Sequence, residues 1–246
     1  MSETSELRLE AASRTDIGLV REQNEDAFGE ASGPAGRLFV VADGMGGHAG
    51  GATASRLAVE TIAQAFFDAS GPLPVRLRAA VETANQRIHH QARRDASLAG
   101  MGTTAVALVI EGSRAWIANV GDSRAYRLRG RDFEQLTRDH SVVAELVRRG
   151  LLTAEQARVH PRRNEVLRSL GSWPDVDVDV DELDLVPGDV LLLCSDGLSG
   201  VVDDDAIAAF LTAESVADAA QALIEAAIGQ GAPDNVTVQV VRVSDR

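Results

Sequence analysis

Three aspartates in this sequence each stand beside a glycine at the end of an apolar stretch. Asp43 comes directly after such a stretch, Asp196 follows a second with Ser195 between, and Asp122 follows a third with Gly121 between. A strand that ends in an acid and a flexible turn places an oxygen ligand at the rim of a sheet. Hard divalent cations such as Mg²⁺ and Mn²⁺ prefer oxygen ligands. A single Asp-Gly pair is more often an ordinary turn, but the three together predict an oxygen-lined cation site.

A fourth acid, Asp234, stands just before the last predicted strand, in the segment GAPDNVTVQV. Sheet ends bring together residues that are far apart in the chain, so the four acids can share one site. Buried carboxylates repel one another strongly unless cations neutralise them. Two divalent ions about 3.5–4 Å apart can neutralise such a group and activate water for attack on a phosphoester. The acids therefore predict metal-assisted phosphoester hydrolysis.

A phosphate substrate also needs a cationic partner, for which Arg21 in the segment LVREQNEDAF is the candidate. A guanidinium binds two phosphate oxygens at once, which an ammonium group cannot match. Taken alone, Arg21 would more often form a surface ion pair. Glu25 and Asp26 follow closely and are candidates for contacts with metal-bound waters. The segment therefore predicts a phosphate-binding arginine beside an outer layer of acids.

The elements that must position these groups occur in runs. Apolar periodicity predicts four main helices, over about 52–69, 75–95, 203–211 and 215–228. Strands are predicted at 8–13, 37–42, 103–110, 115–120, 123–128, 176–180, 189–194 and 235–243. Because strands follow strands and helices follow helices, the pattern favours antiparallel sheets with helices packed outside them. We therefore predict an α+β fold, a β-sandwich flanked by helical layers, as one domain over 8–246 after a flexible tail, 1–7.

The composition narrows the possible partners. The chain has 246 residues, a formal net charge of −13 and no dense basic run, which argues against nucleic-acid binding. No apolar stretch approaches the roughly 20 residues of a membrane-spanning helix, and the first residues lack the features of a signal peptide. The single cysteine, Cys194, is predicted to be a small buried hydrophobe. We therefore expect a cytoplasmic protein with no nucleic-acid or membrane partner.

Two further segments carry charge patterns. The arginine-rich segment 140–168 predicts a short helix, a turn at Gly150 and a second helix from Thr153, inserted beside the active site. Its arginines can recruit phosphorylated partners or form a solvated helical face, and the pattern favours neither. The alternating acids from Asp175 to Asp181 predict a strand with one wet face, because they lack the glycine and the final glutamate of a calcium loop.

The motifs together resemble the bacterial members of the metal-dependent protein phosphatases, the PPM or protein phosphatase 2C family. The matching segments follow the family's order between about residues 10 and 243: SRTDIGLVREQNEDAF, VVADGMGGHAGG, MGTTAVALVI, WIANVGDSRAYRLR, LTRDHS, LCSDGL and DNVTVQVV. The resemblance implies a central β-sandwich flanked by helices that hydrolyses phosphoserine and phosphothreonine in proteins. It also implies that 140–168 is a flap near the site, and that two core Mn²⁺ or Mg²⁺ ions bind with a third, looser one.

The resemblance assigns metal-binding roles by position. It implies that Asp43 bridges the two core ions and that Gly44 offers its backbone carbonyl to one of them. Asp196 and Asp234 are implied to complete the other core site. Asp122 matches an acid that helps to hold the third ion, together with Asp196.

Outside the metal ligands, the resemblance makes Arg21 the phosphate-binding arginine and Asp26 an outer acid. The sequence departs from the eukaryotic pattern at Met45, where those members carry a histidine that is proposed as general acid. His48 fits the bacterial pattern, but nothing in the sequence assigns the proton to it. Metal-bound water is the other source of a proton for the leaving group.

These features lead to one main hypothesis and two alternatives. The main hypothesis is a monomeric Mn²⁺- or Mg²⁺-dependent serine/threonine protein phosphatase that acts on phosphorylated proteins and counteracts bacterial Ser/Thr kinases. The first alternative is a non-catalytic pseudophosphatase that captures a phosphoprotein. The presence of every expected metal acid argues against it. The second alternative keeps the fold and the reaction but makes an anti-sigma-factor antagonist the substrate.

Overall fold

A computed structural model describes residues 7–46 and 49–245 of the protein. In these ranges the strands are β1 (Leu7–Asp16), β2 (Ala27–Gly33), β3 (Gly36–Ala42), β4 (Gly44–Met45), β5 (Gly102–Thr103), β6 (Ala105–Glu111), β7 (Arg114–Val120), β8 (Arg124–Arg129), β9 (Asp132–Gln135), β10 (Asp179–Asp184), β11 (Val190–Cys194) and β12 (Val236–Asp245). The α-helices are α1 (Ala49–Asp68), α2 (Leu73–Arg94), α3 (Val142–Arg148), α4 (Ala154–Arg158), α5 (Asp196–Ser199), α6 (Asp204–Leu211) and α7 (Val216–Gly229). Leu7, predicted to end the flexible tail, instead begins β1, while 1–6 and His48 lie outside the described residues.

Two five-stranded antiparallel sheets form the sandwich. Sheet I has the strand order β1-β12-β11-β8-β9, and sheet II has the order β10-β7-β6-β3-β2. Strands β4 and β5 form a separate short ribbon. In sheet I, Leu7 lies opposite Asp245 and Asp16 lies opposite Val236, so the first and last strands pair along their whole length. The predicted α+β sandwich is confirmed.

Each sheet is buried on both faces, which explains the apolar runs in the central strands. In β3, Leu38 and Val40 pack with residues of α1 and α2, whereas Phe39 and Val41 point into the layer between the sheets. This alternation follows from the two-residue period of a strand. On the other side, α6 and α7 pack against sheet I through a cluster that includes Leu223. Burying one side chain of this size contributes roughly 1.5–3 kcal/mol, so the helical layers are integral to the fold.

The predicted helices are confirmed to within a few residues, and their ends follow from local hydrogen bonds. Asp203 caps α6 by accepting the Ala206 N–H at 2.8 Å, and Ser215 caps α7 by accepting the Asp218 N–H at 3.0 Å. Such caps satisfy N–H groups that lack a partner within the helix. Within the described ranges, every helix is too short or too polar to cross a lipid bilayer.

Two strand predictions require correction. The predicted strand 103–110 is split at Thr104, because the Thr104 N–H donates to the Asp43 carbonyl at 2.9 Å instead of continuing a ladder. The predicted strand 176–180 begins only at Asp179, because β10 pairs with β7 and the register ends where Asp179 lies opposite Asn119. Asp179 is also not part of a purely wet face, since its carboxylate contacts His140 and Arg168.

The arginine-rich segment 140–168 contains α3 and α4, with a turn at Gly150 (φ +70°) and a capping box at Thr153, as the sequence predicts. We call it the flap. Its two ends are joined to each other, because the Leu167 N–H donates to the His140 carbonyl at 2.6 Å and the Val142 N–H donates to the Glu165 carbonyl at 2.9 Å. The flap is therefore an insertion that leaves the sandwich and returns to it at the same place.

A carboxylate-lined candidate active site

The four strand-end acids meet at one end of the sandwich. Asp43, Asp122, Asp196 and Asp234 all line one cavity of about 190 Å³, which we call the carboxylate cavity. Three other residues singled out in the sequence also line it: Arg21, Glu25 and Gly44. The flap contributes Asn164 and Val166 to the same cavity. Residues from seven separate stretches of the chain thus converge on one small space.

Asp43 is held by its backbone at the end of β3. Its N–H donates to Thr104 Oγ1 at 3.0 Å, and its carbonyl accepts hydrogen bonds from the Thr104 N–H at 2.9 Å and from Thr103 Oγ1 at 2.8 Å. The next residue must be glycine for reasons of space. A Cβ on Gly44 would lie 2.3 Å from the Gly51 carbonyl oxygen and 2.4 Å from that of Glu25. The Asp-Gly pair is therefore a close-packed junction.

Asp122 lies at the end of β7, on a turn that also needs glycine. Gly121 has φ +109°, and a Cβ there would lie 2.6 Å from the Thr104 side chain. Thr104 also makes a hydrogen bond with Ser123, with 2.7 Å between the two hydroxyl oxygens. Thr104 thus contacts both turns, and it couples the position of Asp122 to that of Asp43.

Asp196 and Asp234 come from the ends of neighbouring strands in sheet I. Asp196 is the first residue of α5, directly after β11, and Asp234 stands just before β12. A Cβ on Gly197 would lie 1.9 Å from the Asn235 carbonyl oxygen, so glycine permits the two segments to touch. This contact brings the two acids to one side of the cavity.

Arg21 lies in the loop after β1, where its Nη2 donates to Asp234 Oδ2 at 2.7 Å. The Arg21 side chain is 49% exposed, so it is accessible from the cavity mouth. Its hydrogen bond with Asp234 raises the pKa of the guanidinium and keeps it charged. The structure thus places the predicted phosphate-binding cation in the cavity, in contact with one of the predicted metal acids.

Glu25 and Asp26 occupy different positions. Glu25 lines the cavity, and its backbone N–H donates to Asn235 Oδ1 at 2.8 Å. Asp26 lies behind the cavity, where Oδ2 accepts a hydrogen bond from Ser195 Oγ at 2.7 Å. Its second oxygen, Oδ1, is buried and has no hydrogen-bond partner. A buried carboxylate oxygen without a partner is costly, and this oxygen points to chemistry that the protein alone does not complete.

The acids perturb one another strongly. Burial raises the pKa of Asp43 well above its ordinary value of 3.8, and the neighbouring carboxylates raise it further. Burial likewise raises the pKa of Asp122, with Asp196 as the next cause. Burial and the charge of Asp234 raise the pKa of Asp196, and burial raises that of Asp26 to about 7. Grouped carboxylates that resist ionisation in this way are typical of functional sites.

The donor set fits hard divalent cations, which would neutralise these acids. Carboxylates and the Gly44 carbonyl are the ligand types that Mg²⁺ and Mn²⁺ prefer. Positive charge from bound cations would lower the raised pKa values of these acids. Across residues 7–46 and 49–245, no three acidic, imidazole or thiol groups form a ready-made metal cluster. Asp234 instead contacts Arg21.

Sequence reasoning overlooked two positioning residues. Asn235 is buried and donates from Nδ2 to the carbonyls of Ile17 and Gln23, at 2.9 and 3.0 Å. It thereby attaches the loop that carries Arg21 to the start of β12. Thr104 was the other omission. The only sequence signal for either residue was its position beside an expected ligand, Asp234, or near the end of a predicted strand.

Nearly the whole chain is similar to known protein phosphatases. The family model described as Protein phosphatase 2C matches residues 20–230. The serine/threonine protein phosphatase PstP of Mycobacterium tuberculosis is 42% identical over 97% of this chain. This chain spans only 46% of PstP, about half of its length. The serine/threonine phosphatase stp of Listeria monocytogenes is 39% identical, and the match covers 95% of both chains.

Solved structures of bacterial phosphatases resemble this fold over nearly the whole chain. The catalytic domain of PstP in complex with two manganese ions has a TM-score of 0.88 and 41% identity, and the match covers 97% of this chain and 100% of that one. A crystal structure of a bacterial serine phosphatase has a TM-score of 0.91 and 36% identity, with 97% of this chain and 99% of that one covered.

Proposed function

The chain belongs to the protein phosphatase 2C family, and we propose that it is a metal-dependent phosphatase that hydrolyses phosphoserine and phosphothreonine in proteins. One observation carries this proposal: Asp43, Asp122, Asp196 and Asp234 line a single cavity together with Arg21. Acids alone would fit many cation sites. An accessible arginine beside them adds a group that recognises phosphate.

The proposed metal-binding roles are those that the family resemblance implies for these positions. We assign Asp43, Asp196, Asp234 and the Gly44 carbonyl to two core Mn²⁺ or Mg²⁺ ions, and Asp122 with Asp196 to a third. When bound, these cations supply Lewis-acid activation of water and of the phosphoryl group. Burial and, second to it, mutual repulsion raise the pKa values of Asp43, Asp122 and Asp196, and the positive charge of the cations would offset both effects.

The protein's own groups bind and orient the substrate. Arg21 is permanently charged and half exposed, so its guanidinium can hold two phosphoryl oxygens when the phosphoresidue enters. Asn235 fixes the loop that carries Arg21, and thereby the distance between this cation and Asp234. Glu25 in the cavity wall and Asp26 behind it extend the acidic layer, and we propose that they would orient water on the bound metal ions.

We further propose that the substrates are phosphorylated proteins that include bacterial Ser/Thr kinases, and that the protein acts as a cytoplasmic monomer. Pairing of β1 with β12 supports one phosphatase domain over 8–246, because both ends of the chain contribute to the same sheet. A pseudophosphatase would bind phosphoprotein without turnover, and an anti-sigma-factor antagonist would be a different substrate of the same reaction. Nothing in the structure favours either alternative.

The test is hydrolysis of a phosphothreonine peptide with Mn²⁺, and then with excess chelator. We expect chelation to stop phosphate release. Asp43→Asn should lower kcat/KM at least about hundredfold, because it removes a ligand charge rather than an outer contact, which alone costs roughly 10–100-fold. Asp177→Asn is the matched control, since Asp177 is exposed and outside the cavity.

Each contrary result has a clear meaning. Activity that persists in chelator would refute the metal-dependent mechanism. Asp43→Asn with the activity of the control would refute the assigned role of Asp43. Tight binding of the phosphopeptide without turnover, measured by calorimetry with Mn²⁺, would favour the pseudophosphatase.

A further inference from the structure

A groove continues from the carboxylate cavity beneath the flap. This groove, which we call the flap groove, has a volume of about 450 Å³. It shares three lining residues with the carboxylate cavity: Asp122, Asn164 and Asp196. At its other end it shares Arg158, Ser199 and Gly200 with a third cavity of about 440 Å³ beside α6 and α7. The three spaces therefore adjoin one another in a row that starts at the proposed catalytic acids.

The flap side of this groove combines apolar and basic groups. The apolar wall consists of small and branched side chains from α3 and α4: Val143, Ala144, Val147, Ala154 and Ala157. Three arginines of the flap also line it: Arg148, Arg158 and Arg163. Such a wall matches a peptide segment with apolar side-chain stems and anionic side-chain ends.

The arginines differ in how their charge is used. Arg148 forms an ion pair with Glu145, and Arg124 on the opposite wall donates to both oxygens of Asp139. Arg158 and Arg163 make no side-chain hydrogen bond or ion pair with any residue in the described part of the chain. Two guanidinium groups are therefore available at the groove.

The opposite wall restricts where an anion can bind. It carries Asp122 and Asp196, which belong to the catalytic cavity, and Asp204 at the start of α6. Asp139, also on this wall, is neutralised by Arg124. An anionic group in the groove is repelled from Asp204 and attracted to the flap, so Arg158 and Arg163 are its binding partners.

We propose that the flap groove binds the extended segment of the substrate next to the phosphorylated residue, and that Arg158 and Arg163 bind an anionic side chain on that segment. This inference rests on the proposed phosphatase function. The shared chemistry is a carboxylate or a second phosphate on a side chain a few residues away. An extended chain advances about 3.3–3.6 Å per residue, so consecutive residues can follow the groove away from the carboxylate cavity.

The experiment compares phosphothreonine peptides that differ only in their flanks. One peptide has neutral flanks, one has glutamates two to four residues from the phosphothreonine, and one has a second phosphothreonine there. kcat/KM is measured with Mn²⁺ for the wild-type protein and for the double variant Arg158→Gln/Arg163→Gln. Arg149→Gln is the control, because Arg149 lies on the flap, pairs with Glu145 and does not line the groove.

We expect the wild-type protein to favour an anionic flank about threefold to tenfold in kcat/KM, mainly through KM, because exposed ion pairs are weak and charge-assisted hydrogen bonds are stronger. The preference should decrease as salt is raised. In the double variant the ratio of kcat/KM between peptides with anionic and neutral flanks should be less than about twofold. Arg149→Gln should retain the wild-type ratio. The peptide that gives the larger preference identifies the carboxylate or the phosphate as the anion.

Equal kcat/KM values for all peptides with the wild-type protein would overturn the inference. So would a preference that survives in the double variant. Neither result would affect the proposed function, since the peptides would still be hydrolysed. Failure of the wild-type protein to release phosphate from any peptide with Mn²⁺ would instead refute the phosphatase function itself, and the inference with it.

Discussion

Replacing Asp26 with asparagine tests the electrostatics behind the carboxylate cavity. Asp26 accepts a hydrogen bond from Ser195, and its other oxygen is buried without a partner. Burial raises its pKa from the ordinary value of 3.8 to about 7, and the charges of Asp196 and Asp234 add to this effect. Asp26→Asn keeps the shape of the side chain and its acceptor for Ser195 but removes the charge.

The sign of the effect follows from proton binding. Without divalent cations, folded Asp26 keeps its proton up to about pH 7, whereas the unfolded chain releases it near pH 3.8. The stabilisation by this proton is therefore complete below pH 3.8 and is lost as the pH rises through about 7. At about 1.4 kcal/mol per pH unit, the two pKa values correspond to about 4 kcal/mol of unfolding free energy. The asparagine variant has no such loss.

Urea unfolding in chelator, from about pH 4 to about pH 8, measures this difference by linear extrapolation. The unfolding free energy of Asp26→Asn relative to wild type should increase by about 4 kcal/mol across this range. For a domain of this size, that corresponds to roughly 8–16 °C in Tm. Asp177→Asn is the control and should give a difference that does not change with pH. A flat or decreasing difference for Asp26→Asn would refute the assignment of a raised pKa to this group.

Three further predictions concern packing and charge. Gly44→Ala should lower the unfolding free energy by about 3 kcal/mol, because its Cβ would overlap two backbone carbonyls. Gly229→Ala, with open space around its Cβ, should change it by less than about 1 kcal/mol in the same urea titration. Arg124→Leu should cost about 3–5 kcal/mol, because it leaves the Asp139 carboxylate largely buried and without its cation. Adding Asp139→Leu should restore most of this loss, and no recovery would contradict the pairing argument. Burial lowers the pKa of His140 below its ordinary value of 6.5, so the folded state holds it neutral. Relative to His140→Gln, the wild-type protein should lose stability as the pH falls below about 6.5, and a pH-independent difference would contradict this assignment.

The fold class was predictable from local pattern because clustered strands and adjacent helices exclude a regular β-α-β alternation. The placement of Asp43 and Asp196 at strand ends was visible for a similar reason, since each follows an unbroken apolar run. Strand order was not predictable. Strand β3 pairs with β6, and the two are separated in sequence by both long helices. Such pairings depend on tertiary contacts that a local pattern does not contain.

The side-chain contacts of the site were less predictable still. The hydrogen bond between Arg21 and Asp234 joins residues from opposite ends of the chain. Asp26 accepts a hydrogen bond from Ser195, and no spacing rule connects these two residues in the sequence. The alternating acids around Asp179 predicted a strand that starts too early. Alternation produces a strand only where a partner strand is present, and β7 pairs with this segment only from Asp179 onward.

The pairing of β1 with β12 has a mechanical consequence. Leu7 and Asp245 are neighbours in an antiparallel ladder, so opposing forces on these two residues load its hydrogen bonds one at a time, from the outer end inward. Such peeling proceeds toward Asp16 and Val236, beyond which the chain leads directly to the loop of Arg21 and to Asp234. Tension on the ends of the domain would therefore separate the arginine from its acid once this ladder has opened.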